Sequence, residues 1–272
     1  MLRLWAFYAR MDALWLLKDF RSFALYTVTD MIVNLASVAG VWLMAERFAG
    51  IGGWGKHQIL FMLGYSLTVS GIMNMFFNWN IQYISRRIGR GQLDHVLIQP
   101  QPVWMTLLTE GFVPASGSGV LLTGAGLLVY SLFKLQWSIS PVWLGALGVS
   151  LLLSTAVNLT YSFLWGSLAF YAPAAAEEVC TSVIDLFSTL RNFPLNGMGK
   201  LWQAIMVTVL PVGLCAWVPS LSLQYGRVYA GFFGVLLFAV IYLLLTWIVY
   251  RRGMKHYVTK GSYRYHDRGH RS

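Results

Sequence analysis

Charge is scarce in this chain: Asp, Glu, Lys and Arg make up 11% of its 272 residues, while 57% are hydrophobic. An ordinary soluble domain carries about 25% charged residues. A core of this size could not hide so much apolar surface, so lipid must serve as part of the solvent. That excludes the one or two soluble domains that length alone would suggest. Cysteine is nearly absent. Cys180 and Cys215 make neither a disulfide framework nor a metal site with ligand spacing, and they read as small apolar residues in helices. The five histidines do not cluster, and no Ser-His-Asp set or carboxylate pair stands out, so no catalytic residue and no metal site is expected. A cleavable signal is missing as well. Residues 1–21 mix Arg3, Arg10, Asp12, Lys18, Asp19 and Arg21 with Leu4, Trp5, Phe7, Met11, Leu14 and Trp15, where a signal would keep an unbroken apolar core. This segment reads as an amphipathic helix lying on the membrane surface.

What is present is a series of apolar stretches, each near the roughly 20 residues a spanning helix needs. They run over about 22–45 (interrupted by Asp30), 57–80, 111–133 (entered from about Met105), 142–170 and 228–250, the last halted by Arg251 and Arg252. Between the fourth and final stretches two readings stay open. Residues 177–196 are helical in pattern but carry Asp185 and Arg191; residues 201–226 are uncharged but hold Pro211 and Pro219. Either the second stretch crosses, or the first crosses and the second dips in and returns. Both give six crossings, so the expected fold is an all-α membrane protein with six spans over residues 22–252.

The net charge of +10 does not point to nucleic acid, because the basic residues sit at span ends, where they face anionic lipid and set topology. Four lie in the N-terminal segment, three in the loop after the second span and seven from Arg251 onward, fourteen of the twenty on one side. The positive-inside rule puts the N-terminus, the 81–104 loop and a solvated basic tail, residues 253–272, in the cytoplasm.

Two short motifs invite a chemical reading. Gly50-Ile51-Gly52-Gly53-Trp54-Gly55-Lys56-His57 has the glycines and lysine of a phosphate-cradling loop, but His57 stands where a hydroxyl should hold magnesium. It also joins two spans instead of following a buried strand, so ATP binding on this chain is not expected. The 81–104 loop is more informative. Ile84, Ile88, and Leu93 or Val96 can share one side of a helix, with Arg86, Arg87 and Arg90 on the other. Gly89 and Gly91 permit a bend, and Pro100 and Pro102 end the element. It is either an anchored connector or a docking helix that receives force from a soluble partner.

At this loop the sequence resembles a family. Gly91-Gln92-Leu93-Asp94, then Leu97 and Pro100, is similar to the Gly-x-Leu-Asp…Leu…Pro signature of type-2 ATP-binding-cassette exporter permeases, in particular the group of about 260 residues once filed as a domain of unknown function. Gly53-Trp54, residues 163–166, Phe193-Pro194, Pro211 and Pro219 follow in the same order, and the resemblance spans nearly the whole chain. Gln99 departs from it, standing where an Arg is expected. The resemblance implies a permease of a prokaryotic plasma (inner) membrane that works with a second permease subunit, the same or related. Each half docks on a separate ATPase subunit, which carries the ATP and magnesium. The resemblance places docking in this loop, where the candidates for coupling are Arg86, Arg87, Arg90, Gly91, Leu93, Asp94 and Pro100. It also makes residues 179–193 the fifth span and 201–220, within 194–226, an outer re-entrant hairpin.

Polar residues inside the spans have two readings. Asn74 and Asn78 share a face with Gln82, and Asn158 joins Ala146, Ser150, Ser154, Ser162 and Gly166 at four-residue spacing. Gly226, Ala230 and Gly234 make another edge of small residues. Such positions let helices approach closely, or they line a path; Asn74, Asn78, Asn158 and Asp185 are the candidates for a substrate path. Asp30, Glu110 and Asp185 are charges at membrane depth, which is a functional signal. The rival reading, a self-sufficient secondary transporter or channel, would use one of these three as its ion site and would need internal repeats, which the sequence lacks.

Overall fold

The computed structural model describes residues 2–48, 50–77, 81, 83–137, 139–226 and 228–260. Its described residues are helical throughout, apart from turns and one isolated bridge, Ile51 to Trp54. Five helices are long and apolar enough to cross a membrane. They belong to α2 (Phe20–Arg47), α3 (Lys56–Phe76), α7 (Pro114–Leu135), α8 (Pro141–Gly166, continued by a 3-10 turn over Ser167–Phe170) and α13 (Val228–Lys260). In a bilayer only closed hydrogen-bonded elements of this kind can face lipid.

Preceding them, α1 (Leu2–Lys18) is separated from α2 by Asp19, whose carboxylate accepts a 3.2 Å hydrogen bond from the Ser22 N–H. Asp19 caps the first free donors of α2, and hydrogen bonding from Ser22, side chain first and backbone second, holds its carboxyl below the ordinary value of 3.8.

α3 is the central post, with an unbroken buried run from Ile59 to Val69. It lies against α7 backbone to backbone. A Cβ on Gly71 would sit 2.6 Å from Leu121 Cα, one on Gly64 2.8 Å from the Leu128 N–H nitrogen, and Gly117 and Gly124 press on Met75 and Thr68 in return. Small residues are what allow such an approach in lipid. At Gly226 and Gly234, expected as a close-packing edge, nothing among the described residues lies within 4 Å of an added Cβ. On the other side, α8 packs on α13. Tyr161 stacks on Phe187 at 4.8 Å and meets Tyr242 edge-on at 6.0 Å, and the Thr246 hydroxyl donates to the Thr160 carbonyl at 2.8 Å.

The helix boundaries differ from those of the apolar stretches at three places. The third span does not begin near Met105. Residues Val103–Thr109 form a separate short helix, α6, and the chain breaks before Pro114 starts α7. Gly111 packs directly on the Phe77 carbonyl, and proline at the first helical position begins a new helix instead of continuing an old one. The last helix does not stop at Arg251 and Arg252 but continues to Lys260; arginines end an apolar span without ending a helix, since their helix propensity is high. With it, the first part of the expected solvated tail, residues 253–260, is structured, and Tyr257 is buried.

The two stretches left open between the fourth and final spans both fold. Pro173–Leu190 is α9, and residues after it break into α10 (Lys200–Thr208), α11 (Val212–Cys215) and α12 (Trp217–Gln224). The broken segment starts beside the α2–α3 turn, where Gly52 meets Asn196 and Gly197. Its middle reaches half-way along the neighbouring helices: Leu214 O accepts from Ser154 of α8 at 3.0 Å and Thr208 O from Tyr242 of α13 at 2.6 Å. Its end returns to the starts of α8 and α3, where Trp143 Nε1 donates to Leu223 O at 3.3 Å and Gln224 Nε2 to Gln58 O at 3.4 Å.

Candidate functional site

Two features gather the chain's unusual polar residues. The first is the 81–104 loop, folded as α4 (Ile84–Gly89) and α5 (Gln92–Leu97) with Gly91 in the left-handed region, φ +69°, between them. Any other residue would be strained there. Ile84, Ile88, Leu93 and Val96 are all buried, in one apolar cluster with Val103, Leu107, Phe170, Tyr250 and Tyr257. The loop therefore rests on the ends of α6, α8 and α13. Its charges add ties. Arg86 pairs with Glu177 of α9 at 2.8 Å and lies over the Tyr83 ring at 3.9 Å; Arg87 pairs with Glu110 at 2.6 Å; the Tyr257 hydroxyl donates to Asp94 at 2.7 Å.

Of the candidate coupling residues, Leu93 is thus core, Asp94 and Arg87 are ties within the chain, and Arg90 and Pro100 are exposed. The exposed residues of the loop include Arg86, Arg90, Gln92, His95, Leu97, Ile98, Gln99 and Pro100, with Ile98 82% exposed. Glu110, one of the three intramembrane charges flagged in the sequence, is accounted for by its ion pair. α1 reaches this end too: Trp5 packs edge-on against Phe76 and Phe77 at 6.0 and 6.5 Å. Burial first, and the Glu110 carboxylate second, push the Tyr8 phenol above its ordinary value, with Arg87 opposing.

The second feature is a cavity of about 540 Å³ between α2, α3, α8, α9 and the residues that follow α9. Three candidate path residues, Asn74, Asn158 and Asp185, line it; Asn78, the fourth, lies outside the described residues, as does Gln82. Asn158 is buried and Asp185 exposed. The residue that sequence reasoning passed over is Arg191, 7% exposed, which donates to the Ser70 hydroxyl and sits 6.0 Å from the Phe187 ring. Beside it the Asn192 side-chain oxygen accepts from Ser66 at 3.1 Å. The available signal is that Arg191 is the one basic residue in the 177–196 stretch, which the sequence leaves open as a possible span. Asp30, by contrast, is wedged between Gly119 and Asn34, whose amide donates to its carboxylate at 3.2 Å.

The glycine-rich turn joins α2 to α3. It follows helix α2, its glycines 50, 52 and 53 all take positive φ, and Lys56 is paired with Glu46 at 3.0 Å. Among the described residues no group of His, Cys, Asp and Glu could hold a metal ion.

A family model described as ABC-2 family transporter protein matches residues 31–261. No curated protein and no solved structure matches this chain. The matched stretch holds the loop, the cavity and every helix from α3 to α12.

Proposed function

Because this chain belongs to the ABC-2 family of transporter proteins, we propose that it is the membrane subunit of an ATP-driven exporter, driven by a separate ATPase subunit that docks on the 81–104 loop. ATP and magnesium belong to that partner, and two permease chains, identical or related, enclose the path. The membrane is the inner membrane of a prokaryote. α9, completed by residues 191–197, makes a sixth crossing beside the five apolar helices, and residues 194–226 form a hairpin that enters from the outer face and returns to it. Both termini then lie in the cytoplasm with the loop.

The observation that carries this reading is the anchoring of the loop. Its apolar side is continuous with the ends of α6, α8 and α13, and its charges bind it to α9 and to the end of α13. A push on its exposed edge is therefore delivered to several helices together, which suits an element with two states biased by nucleotide on the partner. The apolar Leu97 and Ile98, 38% and 82% exposed, supply the grip, with Arg90 for charge. Co-purification in mild detergent tests it. The ATPase subunit should accompany the wild type and be lost from Ile98→Asp, with the variant still inserted in the membrane. Cargo movement by the purified chain without any ATPase would overturn the reading.

A further inference from the structure

Arg191 is the most deeply buried cation among the described residues, and it has no carboxylate within ion-pair distance there. A guanidinium offers five N–H donors. One goes to Ser70, the ring of Phe187 covers part of a face, and Nε is buried without a hydrogen-bond partner. A desolvated positive charge left in this condition is costly unless an anion arrives to complete it. The space for one is adjacent. The cavity's volume falls in the range of about 300–1,000 Å³ typical of small-molecule sites, and Arg191 lines it together with Asn74, Asn158 and Asn192. Asn192 accepts from Ser66 through its oxygen, which turns its amide nitrogen to donation. Val38, Val41, Leu63 and Leu67 supply an apolar wall from α2 and α3. Asp185, the only carboxylate among the described residues that line the cavity, stands at an exposed position six residues from Arg191, roughly 9 Å along the helix axis.

We propose that this cavity binds an amphipathic molecule by its oxyanion, a carboxylate, sulfate or phosphate, with Arg191 as the charge partner, the asparagine amides as neutral donors and the apolar wall against the chain. Arg191 is suited to this because its planar fork matches two oxyanion oxygens at once. The inference deepens the transport reading, for which it names the cargo class, but its test needs no motor. The oxyanion has two sources, the headgroup of an anionic lipid and a free amphipathic acid.

The test uses the full chain in neutral maltoside detergent, titrated with laurate and with dodecanol, which has the same chain and no charge. Binding is read as saturable thermal stabilisation. Laurate should bind and dodecanol should not. Arg191→Gln should weaken laurate by about 30-fold or more, as for a buried charge pair that loses one member, while Arg191→Lys retains most of the affinity. Ser37→Trp leaves Arg191 in place but blocks the cavity, and should abolish binding; it carries the test if Arg191→Gln does not fold. Native mass spectrometry from mixed phosphatidylglycerol and phosphatidylcholine then separates the sources. Retained phosphatidylglycerol that laurate displaces identifies a lipid headgroup, and laurate binding with no lipid retained identifies a free acid. Equal binding of dodecanol, or unchanged laurate binding in Arg191→Gln or Ser37→Trp, overturns the proposal. Loss of the oxyanion site with ATPase association intact leaves the transporter reading standing, and a working site with no ATPase partner does the reverse.

Discussion

Asp94 accepts a hydrogen bond from Tyr257 across 163 residues of sequence, a polar tie that adds to the apolar packing of the loop on the final helix. A hydrogen bond to a charged group contributes about 1.5–3 kcal/mol. Tyr257→Phe should therefore lower thermal stability modestly and, on the proposed mechanism, raise ATP hydrolysis per molecule transported; an unchanged ratio would remove Asp94 and Tyr257 from coupling. Leu93 belongs to a different class. It is fully buried, so Leu93→Ala should cost about 2–5 kcal/mol by cavity formation, visible as reduced yield of folded protein before any effect on transport. Tyr8 makes a pH prediction. Its phenol is raised above 10.0 in the docked state, so the neutral form is the one that fits. Docking of α1 should be independent of pH through neutrality and be lost as pH climbs past the ordinary tyrosine value into the raised one. Tyr8→Phe should remove that alkaline limb, measured by proteolysis of the N-terminal segment.

Among the elements, the helices are joined most tightly where glycine faces helix. Gly124→Val on α7 would drive its side chain into Thr68 of α3 and should separate the pair, giving protein that inserts but unfolds at lower temperature in detergent. The same substitution at Gly226, where a Cβ meets nothing but φ is +68°, would act through backbone strain alone. The long apolar helices were legible in the sequence because an uncharged run of that length has few other fates. Their ends were not. Arg251 and Arg252 mark where lipid stops, and nothing in hydropathy distinguishes that from where the helix stops. Yet Tyr250, Met254 and Tyr257 recur at i, i+4 and i+7, a stripe that carries the helix onward against Phe170. The break at residues 110–113 has a signal in Pro114, which hydropathy alone passes over. The apolar side of the 81–104 loop was visible as a spacing of isoleucine and leucine. What it packs against was not, since Tyr257 and Glu177 come from remote parts of the chain.

For the whole molecule, the decisive arrangement is that the loop, α1, α6, α9 and the end of α13 meet at one end of the bundle, while the polar cavity with Arg191 lies deeper among the helices. An effect at one end can reach the other through α9, which carries Glu177 in the first feature and Asp185 in the second, with Arg191 just past its end. Sequence reasoning found Asn74, Asn158 and Asp185 as separate polar residues on three helices; that they line one space depends on packing that no local pattern encodes. On the proposed mechanism the 81–104 loop faces the cytoplasm as the handle for a motor. Cys180 and Cys215 are both buried, so Ile98→Cys would carry the accessible thiol of the described chain. Labelling it with a membrane-impermeant maleimide is the most direct test. Label should enter inside-out vesicles stripped of the ATPase subunit, be blocked when that subunit is restored, and be absent from intact cells. Labelling of intact cells would contradict the account.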